Sequence, residues 1–206
     1  MGLSDKTVTE LLAAFRSPDP TPGGGSASAL AAAVGASLLA MVAALPRTRA
    51  ANAEQEQQLR EAGQRCLVLS GELTMLIDRD SEAYDVVMAA YKRPKGTDEE
   101  AAARSTAIQA ALRGAIGAPL DVMRACATAV VRAVAIASLG NPSAASDVQV
   151  GLELLTAGLR GAKLNVEINL QHVKDRAYAD QVREEIAGLE RAAVEAAADA
   201  RGRLTA

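Results

Sequence analysis

Aromatic side chains are nearly absent from this chain. There is no tryptophan, and Phe15, Tyr84, Tyr91 and Tyr178 make up 2% of its 206 residues. A core built on stacked rings is thereby excluded. Half of the residues are apolar, and Ala, Leu and Val dominate them, so burial requires helices that approach one another closely. Histidine occurs once, at His172, and cysteine twice, at Cys66 and Cys126, without metal-ligand spacing. A histidine-based metal site and a Ser-His-Asp apparatus have little support. Both cysteines fall on apolar helical stripes and read as small core residues of a reduced, cytosolic protein. A basic excess is missing too: the net charge is −3 and the basic residues are scattered, which speaks against nucleic acid as a partner. The N-terminus is polar, so no secretory leader is expected. No stretch alternates at period two long enough to form a strand.

What remains is helical spacing. Val8, Leu11, Leu12 and Phe15 predict a first helix capped by Ser4. The stretch PDPTPGGGS, residues 18–26, then breaks the chain. A second helix is expected from about Gly25 to Leu45, ended by Pro46. Its charge-free run from Ala27 is long enough to cross a bilayer, but Ala, Gly and Ser supply most of it, which favours a helix wedged between others. A long helix follows from Asn52. Its seam is Leu59, Ala62, Cys66, Leu69, Leu73, Leu76, Asp80, Ala83, Val87 and Ala90, with Asp80 the one charged member. Pro94-Lys95-Gly96 stops it. Thr97-x-x-Glu100 forms a capping box for a helix to about Ile116, and Pro119 is expected to open another that ends at Gly140-Asn141-Pro142. Ser143 or Ser146 would cap the next, with Leu152, Leu155, Leu159, Ala162 and Val166 inside. Asp175 would cap the last. The expectation is one all-α domain over residues 1–206, a bundle of six to nine helices, with about three quarters of the chain helical against a norm of about a third.

Few residues stand out against this greasy background. Asp80 faces the interior, where a carboxylate is costly unless paired or hydrogen-bonded. It either leaves the core beside Arg79 or Lys95, or lines a cavity where burial raises its pKa and suits it to proton transfer. Asn141, Ser146 and Asp147 in GNPSAASD read first as a helix stop and cap, which alone explains the residue types; the other reading is polar groups offered to a pocket. Gly23, Gly24, Gly25 and Ser26 are either a flexible joint or a helix start whose free N–H groups meet a ligand. Asn165 and Asn169 lie one turn apart and border the core or a subunit interface; two amides there need partners. His172 reads as a surface residue near the end of its helix.

Four segments taken in order, PTPGGGSASALAAAVGASLLAMV, IDRDSEAYDVVMAAYKRPKGT, the AIQAAL…PLDVMR run and GNPSAASDVQVGLELLTAGLRGAKLNVEINL, resemble the cyclodeaminase/cyclohydrolase family of tetrahydrofolate enzymes. The resemblance covers most of the chain up to about Asp175. It implies an all-helical cytoplasmic homodimer binding folate near the subunit interface, with a tetrahydrofolate derivative as substrate and no metal or redox cofactor. It implies hydrolysis of 5,10-methenyltetrahydrofolate to 10-formyltetrahydrofolate, or closure of 5-formiminotetrahydrofolate to the methenyl compound with release of ammonia. On that footing Asp80 and Asp147 become the candidate catalytic carboxylates. Asn141, Asn165 and Asn169 become candidates for the pterin edge, and Gly23, Gly24, Gly25, Ser26 and Ser146 line the substrate. Arg47 and Lys95 become candidates for the anionic glutamate tail. The sequence LPRTRAANAE stands where bifunctional cyclodeaminases carry a Gly/Lys-rich stretch, and no formiminotransferase domain accompanies it, which tilts the expectation towards the cyclohydrolase. The competing reading is a non-catalytic helical dimer that binds folate or acts as a scaffold.

Overall fold

A computed structural model describes residues 2–204. Among them are six α-helices and no strand: α1 Val8–Phe15, α2 Gly24–Ala44, α3 Ala53–Tyr91, α4 Asp98–Leu139, α5 Ala145–Leu170 and α6 Arg176–Leu204. Six is the low edge of the expected range, and three local readings change. α1 is capped by Thr7 in a box with Glu10, not by Ser4; the Ser4 hydroxyl instead donates to Asp78 at 2.5 Å, and the Leu3 N–H donates to the same carboxylate. Those bonds strap the N-terminal segment to α3. Pro119 does not open a helix. It lies inside α4, which runs unbroken through it; the Ala115 carbonyl, which proline leaves without its helical donor, accepts from the Asn169 amide of α5.

The other boundaries follow local chemistry. Asn52 caps α3 by accepting from the Gln55 N–H at 3.0 Å. Thr97 and Glu100 cap α4 reciprocally. Neither Ser143 nor Ser146 caps α5. Asn141 caps a short 3-10 turn over Pro142–Ala144 by accepting from the Ser143 N–H at 2.9 Å, and α5 grows from that turn. The Asp175 side chain accepts from the Tyr178 N–H at 3.1 Å at the start of α6.

α2 packs against α3, α5 and, less extensively, α4. It runs antiparallel to α5, and glycines set the spacing. A Cβ on Gly35 would lie 2.8 Å from the Gly151 carbonyl oxygen, and one on Gly158 would lie 2.8 Å from the Ser28 carbonyl oxygen. The backbones therefore touch, which is how a core without rings reaches interior density. Leu39, Leu69, Leu73, Ile116, Met123, Leu152 and Leu155 are fully buried around this contact. α2 and α4 are both long and apolar enough to cross a membrane, yet each buries one side inside the bundle. The outer side of α2 carries exposed Val34 and Met41. It continues onto exposed Leu67 of α3, which shares a groove with Met41, and onto α5, where Leu154 borders Gly35 and where Val150 and Leu164 are exposed. No charge interrupts α2 across this face.

Candidate active site

The PDPTPGGGS stretch ends on the wall of a cavity of about 400 Å³. Pro20, Thr21, Gly23 and Gly24 form one side. α3 contributes Asp80, Tyr84, Val87, Met88 and Tyr91; α4 contributes Leu112 and Ala115; α5 contributes Asn165, Ile168 and Asn169; and His172 follows α5. The size and the mix of apolar lining with a few convergent polar groups suit a small organic ligand.

Asp80 is the fixed point. One of its oxygens accepts from the Ser26 N–H at 3.0 Å and lies 3.4 Å from the Ser26 hydroxyl. That hydroxyl donates to the Ile77 carbonyl at 2.7 Å, tying the start of α2 to α3. A Cβ on Gly25 would overlap the Asp80 carboxylate. The triple glycine is therefore neither a plain linker nor an empty anion seat: its helix start already holds an anion, and that anion belongs to the protein. Burial pushes the Asp80 carboxyl above its ordinary 3.8, and the Ser26 N–H and the nearby hydroxyl offset only part of this. The result is a carboxylate with raised proton affinity beside a cavity, the condition for general-base work. The Gly24 and Gly25 N–H groups have no protein acceptor among the described residues. They point out of the first turn, where the helix dipole is positive.

Across the cavity, the Asn165 amide nitrogen donates to the Gly161 carbonyl at 2.9 Å and lies beside Gly24. The Asn169 nitrogen donates to the carbonyls of Asn165 at 2.9 Å and Ala115 at 3.3 Å. Each amide nitrogen thus has a backbone partner, while neither amide oxygen accepts from a protein group among the described residues. Tyr91 is steadied by Arg104, which donates to its carbonyl at 2.9 and 3.1 Å and lies 5.6 Å from the ring centroid.

Gly23, Gly24, Asp80, Asn165 and Asn169 are gathered at the cavity wall, with Gly25 and Ser26 directly behind them. The remaining candidates are elsewhere in the chain. Asp147 and Ser146 lie in the first turn of α5, about 27 Å from Asn165 at 1.5 Å per residue. Asn141 is at that same end, where its amide donates to the Pro46 carbonyl at 2.7 Å and pins the loop after α2. Arg47 is exposed in that loop, with a left-handed φ of 58°. Lys95 is exposed just beyond α3, at the cavity end of the bundle but not on the wall. Tyr84, Tyr91 and His172 were missed. The signal for the tyrosines was present: 80, 84, 87 and 91 share one face of α3, and two of the four aromatics in the chain fall on it. His172 is indeed exposed, but at the cavity wall. Among the described residues no three His, Cys, Asp or Glu side chains gather to hold a metal.

Comparison with known proteins bears on this geometry. The family model described as formiminotransferase-cyclodeaminase matches residues 7–188. A methenyltetrahydrofolate cyclohydrolase of Methylorubrum extorquens is 40% identical over 185 residues, which span 90% of this chain and 89% of that protein. The formimidoyltransferase-cyclodeaminase of Sus scrofa is 36% identical over 168 residues, covering 82% of this chain but 31% of that longer protein. The crystal structure of a formiminotetrahydrofolate cyclodeaminase from Thermotoga maritima superposes with a TM-score of 0.87, at 26% identity, over 98% of both chains.

Proposed function

This chain belongs to the formiminotransferase-cyclodeaminase family, and on that premise we propose that it acts on the one-carbon bridge between N5 and N10 of tetrahydrofolate, as a methenyltetrahydrofolate cyclohydrolase. The match to a cyclohydrolase along 89% of that protein's length favours hydrolysis over the cyclodeaminase reaction. The observation that carries the reading is Asp80, a carboxylate of raised proton affinity held at the start of α2 on the wall of the cavity.

The chemistry follows from the charge of the substrate. The methenyl carbon is part of an amidinium, so an adjacent carboxylate attracts it. Asp80 takes a proton from water as the water oxygen bonds to that carbon, giving a neutral hydroxy adduct. The C–N5 bond then breaks with a proton supplied to N5, the adduct hydroxyl loses its own proton, and the formyl group stays on N10. One proton is released to solvent overall. The related cyclisation uses the same carbon: N10 attacks the formimino carbon and ammonia leaves. The Gly24 and Gly25 N–H groups, Asn165 and Asn169 are suited to the polar edges of the pterin, and Tyr84 and Tyr91 to its faces.

Asp147, Ser146, Asn141 and Arg47 enter through a second copy. The uncharged outer face of α2 and α5 is the surface a two-fold partner would cover. Antiparallel packing there would bring Asp147 of the partner subunit towards the start of α2, with Arg47 or Lys95 near the glutamate tail. A cytoplasmic homodimer is part of this proposal. Purified protein is expected to bleach methenyltetrahydrofolate at neutral pH faster than buffer does, and Asp80→Asn to remove the acceleration. Binding without turnover would leave a folate-binding protein; no acceleration together with no ammonia from formiminotetrahydrofolate would exclude both reactions. Mixing Asp80→Asn and Asp147→Asn subunits should restore part of the activity if the site is shared, because each mixed dimer then holds one intact pair.

A further inference from the structure

We infer that Pro119, which touches no substrate in this reading, is a positioning residue. It fixes the amide of Asn169 so that the amide oxygen is offered to the ligand as a pure hydrogen-bond acceptor. The inference rests on the folate reading of the cavity for its ligand, but not for its geometry.

Within a helix the N–H of residue 119 would bond to the carbonyl of Ala115. Proline has no N–H, and its ring crowds that same carbonyl outward. Ala115 is buried at 8% exposure, where an unpaired carbonyl is costly. The Asn169 nitrogen is its partner at 3.3 Å and spends its other hydrogen on the Asn165 carbonyl at 2.9 Å. Both neighbours are carbonyl oxygens, so the amide can face them only with its nitrogen. A flip would set oxygen against oxygen. Asn169 lines the cavity, and no protein group among the described residues donates to its oxygen.

Asn165 differs. Its nitrogen has one backbone partner, Gly161, so it keeps a donor as well as its oxygen. The α5 wall therefore reads as one adaptable amide and one committed acceptor, a turn apart. A committed acceptor selects a ligand edge bearing N–H donors, such as the ring N–H and exocyclic amine of a 2-amino-4-oxo heterocycle. A ring with only acceptors along that edge is rejected, because the Asn169 oxygen would lose water without replacement. The mid-helix proline, an oddity of α4 by itself, is thereby a specificity device for the cavity.

The test is a double-mutant cycle read two ways. In Pro119→Ala the new N–H draws the Ala115 carbonyl back to the helix axis and frees the Asn169 amide. The thermal midpoint should rise while KM for methenyltetrahydrofolate rises about tenfold, the equivalent of one good hydrogen bond, with kcat little changed. A merely structural proline would not move the two readouts in opposite senses. Asn169→Ala should lower the thermal midpoint in the parent, yet have little effect on it in the Pro119→Ala background, where Ala115 no longer needs the amide. Additive thermal effects, or an unchanged KM in Pro119→Ala, would overturn the inference. Should Pro119→Ala not fold, Asn169→Asp decides: its oxygens oppose both carbonyls, so it must be less stable than Asn169→Ala, and equal stability refutes the coupling. The thermal arms need no folate. A parent protein inert towards folates would sink the functional reading while the cycle still decided the role of Pro119.

Discussion

Gly25→Ala puts the geometry at the start of α2 under the most direct strain. In an ordinary helix position the change stabilises by up to about 1 kcal/mol. Here the added Cβ would overlap the Asp80 carboxylate. The carboxylate would have to swing away and give up its 3.0 Å bond from the Ser26 N–H. A hydrogen bond to a charged group contributes roughly 1.5–3 kcal/mol, so after the helix-propensity gain the net loss should be about 1–2 kcal/mol. For a domain of this size that lowers the thermal midpoint by about 2–8 °C. The effect on turnover is larger, since a positioned general base contributes roughly 10²–10⁴-fold; kcat should fall at least about 100-fold with the fold intact. Gly114→Ala is the control, because a Cβ there meets nothing within 4 Å, and it should stabilise α4 without touching turnover. Scanning calorimetry and the absorbance assay read both quantities. A Gly25→Ala protein with parental stability and kcat would refute the packing of Asp80 against the helix start.

Other consequences are independent of this one. Burial raises the Asp80 carboxyl above 3.8, so the folded state holds that proton more tightly than the unfolded chain does. Stability from this group therefore falls as pH climbs from the unfolded value through the folded one, and above that window the ionised Asp80 is a standing cost. Asp80→Asn should melt higher than the parent at neutral pH, with the gap closing towards pH ~4; a gap that widens on acidification contradicts the burial argument. Cys66 and Cys126, whose thiols burial pushes up to about 12, should resist thiol reagents in native buffer and react only in denaturant; fast labelling of either would contradict their place in the core. Leu155→Ala, at a fully buried site between α5 and α2, should cost roughly 2–5 kcal/mol by denaturant titration. Val34→Asp and Met41→Asp should turn a dimer into monomers by sedimentation, and an unchanged mass would exclude the outer face of α2 as the interface.

Legibility in the sequence tracked the physics that decides each feature. The seams of α3 and α5 were readable because packing enforces helical spacing directly, and Asp80 stood out because a charge in such a seam needs a reason. The start of α1 was misread because Ser4 and Thr7 are both good caps, and only the Asp78 bonds show that Ser4 is already engaged. Pro119 was misread because local rules end a helix there, whereas the compensating donor comes from Asn169 on another helix. Asp147 illustrates the remaining limit. Residue type and motif mark it as suited to proton transfer, but which end of a 26-residue helix meets the cavity is settled by packing, and α5 meets it at Asn165 and Asn169.

The measurement that bears most directly on the central claim is the rate of methenyltetrahydrofolate disappearance at neutral pH, parent against Asp80→Asn. The account predicts a clear acceleration over buffer by the parent and a loss of roughly 100-fold or more in the variant, with its fold retained. A variant that keeps the parental rate would contradict it.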